Sequence, residues 1–403
     1  MFKKDFPVFH AHPETIYLDS ASTAQKPQKV IDALADIFTH SYANIHRWAY
    51  DLSEKAEILY EGSKEKVRWF LSAASKHEIV YTYNATYAFN FLSRSLIKSG
   101  MLACGDRILL SVLDHHANIV PWQIMAEEYG IIIDWIGVTP EGRLDLADLE
   151  SKVSGSRLVS ITAASNVTWA ITDIAKIRDI VKNDNPNRIL VIDGSQAFPH
   201  FAVDVVDLDI DFYIATGHKV MSDTGMGILY GKKPLLQKMN PALCGGGAIN
   251  FVTQEWYEAA WLPYRHEPGT PHIAWAASLL AAIEYIESIG GYSAIESYEK
   301  DLVEYALSKI ATLPHEIRLI GPKDSKNRLG VFSFAFSNRH PGDVAETLAE
   351  KGICVRVWHH CTEPLHQYFG LQATLRMSLY IYNTKEDIDT FFDELRQIIW
   401  WNN

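Results

Sequence analysis

Five short apolar runs stand out along the chain: Ile108–Leu113, Ile131–Ile136, Leu158–Thr162, Ile189–Ile192 and Phe212–Ala215. Each is rich in β-branched residues and apolar at consecutive positions, the pattern of a strand buried on both faces of a sheet. Between them the apolar period lengthens to that of a helix, as in Leu146–Val153 and Ile174–Lys182. Doubly buried strands alternating with amphipathic helices predict an α/β fold, a mainly parallel sheet flanked by helices. After about residue 265 the pattern changes. Trp275–Ser288 and Ile295–Leu313 read as long helices, and Val331–Phe336, Ile353–Arg356 and Leu375–Ser378 as shorter strands. This predicts a smaller α+β C-terminal domain. The expected division is an N-terminal segment, 1–20, packing on the small domain, a large domain, 21–265, and a small domain, 266–403.

A length of 403 residues suits two domains of this kind. The net charge of −12 argues against a surface that coats nucleic acid. No apolar run is long enough to cross a membrane as a helix, and the first residues, Met1–Pro7, lack the apolar centre of a signal peptide. The four cysteines, Cys104, Cys244, Cys354 and Cys361, form no Cys-x-x-Cys pair and are too few for a disulfide framework. They predict reduced thiols and a cytoplasmic protein.

In sheets of this type ligands bind beyond the carboxyl ends of the strands, so polar residues just after each run are the candidates. Asp193 ends one run and is followed by Gly194, Ser195 and Gln196. A carboxylate there needs a cationic partner or it is neutralised by burial; its plain alternative is a helix N-cap. Thr216, Gly217, His218 and Lys219 end another run. A desolvated lysine becomes a nucleophilic amine; the plain alternative is a lysine reaching solvent. A carboxylate for a pyridinium nitrogen together with a Schiff-base lysine is what a protein supplies to pyridoxal phosphate. Ala85 and Thr86 open the helical stretch Tyr87–Ile97, where free N–H groups bind phosphate, or where Thr86 is an ordinary helix-start residue. His115 follows a run and is placed either to stack on a ring or to sit in the core.

Taken in order, these segments resemble fold-type I pyridoxal-phosphate enzymes, and in detail the class V aminotransferase-like cysteine desulfurases of the SufS and selenocysteine lyase branch. The resemblance covers nearly the whole chain. It rests on Leu18–Pro27, Asn44–Arg47, His115–Trp122, Ser165–Val167, Asp193–Gln196, Gly217–Lys219, Thr224–Gly231, Gly269–Pro271, Arg356, His359–Cys361 and Arg376–Leu379. It implies a seven-stranded large-domain sheet and pyridoxal 5'-phosphate held by Lys219 as Schiff base. Asp193 would pair with the pyridine nitrogen, Gln196 with the ring hydroxyl, and His115 would stack on the ring. Ala85, Thr86, Thr216 and His218 would hold the phosphate, with Thr270 reaching the phosphate of a neighbouring subunit in a homodimer. Gly245–Gly247 matches another segment of that dimer interface. Asn166 and Arg376 would bind the substrate carboxylate, beside His46 and Arg47. Cys361 would take sulfur from L-cysteine as a persulfide, leaving L-alanine, and pass it to an acceptor of the SufE or SufU kind for iron–sulfur cluster assembly. His359, His360, His46, Arg47 and Arg356 are candidates for activating the Cys361 thiol. The spacing of His359, His360, Cys361 and His366 matches no standard zinc pattern. The other three cysteines read as packing residues.

The chain departs from the family around the expected pocket. Trp48, Trp169 and Trp358 stand where the family has glycine, Ser222 and Asp223 where it has Gly-Pro, and His272 where it has Asn. Three added indoles would reshape the pocket, or pack together outside it, and each would have to tolerate a positive φ if the glycine supplied one. Two further readings follow. One is another class V enzyme, a selenocysteine lyase, C–S lyase, aminotransferase or epimerase, with a pocket altered by these rings. The other is a catalytically reduced sulfur-transfer scaffold.

Overall fold

The computed structural model describes residues 2–46 and 50–400. Strand β1 (Ile16–Tyr17) precedes the seven strands of the large sheet: β2 (Ile79–Thr82), β3 (Arg107–Ser111), β4 (Ile132–Ile136), β5 (Ser156–Thr162), β6 (Ile189–Asp193), β7 (Phe212–Thr216) and β8 (Gly227–Gly231). A hairpin, β9 (Ile249–Val252) and β10 (Tyr257–Ala259), follows. The C-terminal part carries β11 (Ile317–Ile320), β12 (Val331–Phe336), β13 (Ile353–Cys354), β14 (Arg356–Trp358) and β15 (Thr374–Ser378).

The large sheet runs β2-β8-β7-β6-β5-β3-β4. Strands β3 to β7 run parallel to one another, and β8 is antiparallel to both β7 and β2. Every residue of β6, β7 and β8 is buried, which explains their unbroken apolar sequence. Alternate side chains feed two separate cores. Leu190, Ile192 and Tyr213 join one with the helices Gln28–His40, Asp51–Phe70, Ile174–Asp184 and Ile273–Ser288. Ile189, Val191 and Phe212 join the other with the helices Ala85–Lys98 and Val120–Tyr129. Full burial of each such side chain contributes about 1.5–3 kcal/mol, so a one-residue slip of any central strand is heavily penalised.

The smaller antiparallel sheet, β11-β12-β15-β14, packs its apolar face on the helices Gly291–Ile310, Pro341–Glu350 and Lys385–Trp400. The expected single strand Ile353–Arg356 is two strands. Ile353 and Cys354 pair with β1, whereas Arg356, Val357 and Trp358 pair with β15. The expected junction at 265/266 lies ahead of the helix Ile273–Ser288, which packs on Gln28–His40 and Asp51–Phe70 beside the large sheet. The N-terminal segment bridges both parts: Phe6 packs edge-on against Tyr285 and Tyr382, while β1 extends to β13. Among the described residues no single helix is long and apolar enough to cross a membrane.

Candidate active site

A cavity of about 160 Å³ lies where β5, β6 and β7 end, roofed by β14 and β15 of the smaller sheet. It collects Ala85, Thr86, His115, Asn166, Asp193, Gln196, Thr216, His218, Lys219 and Arg376, ten of the residues singled out from sequence.

Lys219 sits on the turn Gly217–Lys219 directly after β7. Its Nζ has no hydrogen-bond partner among the described residues. Burial pushes the amine down to about 8; Asp193 opposes this, Arg376 and Arg356 add to it, and Cys361 opposes it. A lysine must lose its proton before it can attack an aldehyde. The cofactor-free protein is therefore expected to condense with pyridoxal phosphate at a rate that rises with pH and levels off just above about 8. Stopped-flow absorbance across pH reads this directly, and a rate still climbing steadily towards pH 10.5, the ordinary lysine value, would contradict it.

Asp193 closes β6, is buried, and accepts the Ser195 N–H at 2.9 Å. Burial raises its pKa, against the pull of Ser195 and Lys219, so a cation above it would hold it ionised. The turn beyond it requires Gly194, because a Cβ there would lie 1.8 Å from the Tyr213 ring. Gln196 donates from Nε2 to the Ala21 carbonyl at 3.0 Å, which fixes its amide and leaves buried Oε1 without a partner.

At the other end of the cavity, Asn84 caps the helix Ala85–Lys98. Its Oδ1 accepts the Tyr87 N–H at 2.8 Å and its carbonyl the Ala88 N–H at 3.0 Å. The N–H groups of Ala85 and Thr86 find no acceptor among the described residues. Gly227 lets β8 close on this turn, since a Cβ there would lie 2.5 Å from the Asn84 carbonyl carbon. The Thr216 hydroxyl donates to the Met226 carbonyl at 3.3 Å. His218 is pushed down to about 3 by burial and then by Lys219 and Lys26, so it is neutral.

His115 is also pushed down to about 3, by burial first and then by Lys219, His116, Arg376 and Arg356. Its Nδ1 accepts the Ala117 N–H at 3.1 Å, so the proton of the neutral ring lies on Nε2. Arg376 donates to the Asn166 carbonyl at 3.1 Å, to Ser22 Oγ at 2.7 Å and to Asp19 at 3.2 Å; its Nε is buried and unpaired. Arg356 reaches the same Ser22 hydroxyl at 2.6 Å. Sequence reasoning missed Ser22 and Asp19 as the pair that gathers both guanidinium groups. They lie inside the matched segment Leu18–Pro27, but only the fold shows what they face.

Cys361 is half-buried and lies just outside the cavity lining. Its carbonyl accepts the His116 N–H at 2.7 Å. The flanking loop is clasped by Asn166, whose Nδ2 donates to the His360 carbonyl at 2.7 Å and whose Oδ1 accepts the Thr362 hydroxyl at 2.8 Å. Asn166 thus joins the expected carboxylate site to the Cys361 loop.

Other residues singled out from sequence lie away from this cavity. Thr270 lines a separate cleft with Tyr60, Tyr81 and Trp275. His46 does not line the cavity; its N–H is held by Glu57 at 2.6 Å and its ring packs on Tyr264. Arg47 and Trp48 fall outside the described residues. Trp169 and Trp358 do have the positive φ of glycine, 61° and 95°, but neither reshapes the pocket by lining it. Trp169 is fully buried with Ala21, Ala164, Leu329 and Val331, whereas Trp358 points into solvent, 62 % exposed, beside His340. They do not pack together either. Cys104 and Cys244 are exposed rather than packed, and Cys354 is half-buried.

The arrangement fits pyridoxal phosphate: an amine without a hydrogen-bond partner, a buried carboxylate that makes no direct ion pair among the described residues, an orphaned amide oxygen for a ring hydroxyl, and free helix N–H groups for a phosphate. Comparison with known proteins agrees. A model of the family Aminotransferase class-V matches residues 16–391. The chain is 37% identical to a probable cysteine desulfurase of Streptomyces coelicolor, covering 98% of this chain and 96% of the relative. It is 39% identical to one of Halalkalibacterium halodurans, covering 96% and 94%. Among solved structures, the apo cysteine desulfurase of Thermococcus onnurineus superposes with a TM-score of 0.93 at 34% identity, covering 98% of this chain and 97% of that one.

Proposed function

This chain belongs to the class-V aminotransferase family as a pyridoxal-phosphate-dependent cysteine desulfurase, and we propose that within it Cys361 is the thiol that receives sulfur from L-cysteine. The observation that carries this is the clasp of Asn166 on both sides of Cys361, which ties the receiving thiol to the cavity that holds Lys219.

Lys219, Asp193, Gln196, Ala85, Thr86, Thr216 and His218 would hold the cofactor, with His115 at its ring. When bound, pyridoxal phosphate draws electron density away from the substrate's α-carbon. Arg376 and Asn166 orient the α-carboxylate by charge-assisted hydrogen bonds. Lys219, whose amine is largely neutral above about pH 8, takes the Cα proton. Neutral His115 carries a proton on Nε2 that it can donate. Cys361, as thiolate, would bond to the substrate sulfur as the carbon–sulfur bond breaks; the bonding pair would stay with Cβ, which takes up the His115 proton, Lys219 would return its proton to Cα, and the carbon skeleton would leave as L-alanine.

A homodimer follows from the same reading. Thr270 stands away from this chain's own cavity, and the β9–β10 region exposes Phe251, Val252, Trp256 and Trp261, an apolar surface a second copy would cover. The persulfide is handed to a SufE- or SufU-like protein in the reducing cytoplasm, for iron–sulfur cluster assembly. Incubation of the cofactor-loaded protein with L-cysteine and a thiol reductant should release L-alanine and sulfide in equal amounts. Release of neither would overturn the proposal.

A further inference from the structure

The loop around Cys361 is supported by a chain of hydrogen bonds whose direction can be assigned. The Thr362 carbonyl can only accept, so His366 donates to it from Nδ1 at 3.0 Å. The neutral His366 ring then accepts at Nε2, and the Thr374 hydroxyl donates to it at 3.1 Å. That hydroxyl has one proton, so towards His360 it accepts, from Nε2 at 2.9 Å. His360 therefore carries its proton on Nε2 and presents a bare lone pair at Nδ1. Burial holds both rings below their ordinary pKa; Arg376 pushes His360 down further, and the Thr362 bond opposes the shift of His366. Both are neutral.

His360 is only 3 % exposed, it lines the cavity, and its buried Nδ1 has no hydrogen-bond partner among the described residues. A buried acceptor left unpaired is unfavourable, and the Thr362–His366–Thr374 chain prevents the ring from relieving this by changing tautomer. Nδ1 thus needs a donor from within the cavity. In the reading proposed above, the substrate's carboxylate is an acceptor held by Arg376 and Asn166, and its amino group is engaged by the cofactor. Among the substrate's own groups, the donor that remains is the side-chain thiol. His360 also immediately precedes Cys361 in the chain.

We infer that His360 Nδ1 accepts the S–H of the substrate, making His360 a specificity-determining residue that selects α-amino acids with a hydrogen-bond donor on Cβ. The inference rests on the desulfurase reading. It differs from a structural role of His360 in one respect: it acts on L-cysteine and leaves L-alanine, which has the same carboxylate and amine but no thiol, unaffected.

The test uses the cofactor-loaded protein in a Cys361→Ala background, where L-cysteine binds without losing its sulfur. Apparent Kd values for L-cysteine and L-alanine are read from the visible spectrum. His360→Gln keeps a polar group in reach of Thr374 but has no acceptor at the Nδ1 position. It is expected to weaken L-cysteine binding about five- to tenfold and to leave L-alanine within about twofold. His360→Asn, which restores an amide oxygen near that position, is expected to recover the L-cysteine affinity. Equal weakening for both amino acids, weakening for neither, or selective loss of L-cysteine in His360→Asn would overturn the inference. A parent protein that makes alanine from L-cysteine while these ratios stay flat refutes this inference alone; a parent that makes none refutes the desulfurase reading itself.

Discussion

Lys219→Ala is expected to give a folded, colourless protein whose alanine production from L-cysteine falls by about 10²–10⁴-fold. The reason is local. Lys219 supplies the unpaired amine of the cavity, on a turn that follows a fully buried strand. No neighbouring side chain can take its place: Arg356 and Arg376 are guanidinium groups committed to Ser22, and His115 is neutral with its Nδ1 already accepting from Ala117. The variant should not unfold. Burial disfavours the charged lysine, as its pKa of about 8 shows, so truncation removes an unfavourable group. A melting temperature equal to or above that of the parent, together with loss of visible absorbance, checks both halves of this expectation.

Cys361→Ala is the second large loss and differs in kind. Alanine production should fall by about 10³-fold or more, as when a nucleophile is removed from a catalytic unit. The protein should remain yellow, and its spectrum should still respond to L-cysteine, because Lys219, Asp193 and Arg376 are untouched. The two variants therefore separate cofactor chemistry from sulfur capture. If Cys361→Ala continued to release alanine at the parent rate, water or an added thiol would be taking the sulfur, and the clasp of Asn166 on the loop would be purely structural.

The sheet was legible where burial leaves a mark in sequence. The five apolar runs became β3 to β7 with ends shifted by two residues at most. Strands β2 and β8 left weaker marks. Ile79–Thr82 is short, and β8 both begins and ends in glycine, which disfavours strand, yet both are fully buried because their neighbours enclose them. At the site, Asp193 and Lys219 were legible because a charged residue at the end of a buried strand is costly without a partner. The Cys361 loop was not. Trp358, His360 and Cys361 all adopt positive φ, a backbone that bulky residues rarely choose, and tertiary hydrogen bonds to Asn166, His116 and Thr374 hold it there. The glycine-like φ of Trp169 and Trp358 could be anticipated from sequence, whereas the direction of each ring could not. One indole entered a small core and the other turned to solvent. The exposure of Cys104 and Cys244 was likewise invisible, since a free cysteine in an apolar context usually packs.

That exposure sharpens the decisive experiment. The cofactor-loaded protein is treated with less than one equivalent of L-cysteine, unreacted thiols are alkylated, and peptides covering all four cysteines are weighed by mass spectrometry. The account predicts one added sulfur atom on Cys361, one L-alanine released for each, and unmodified Cys104, Cys244 and Cys354. Sulfur carried on the exposed Cys104 or Cys244 in preference to Cys361, with alanine released all the same, would contradict it.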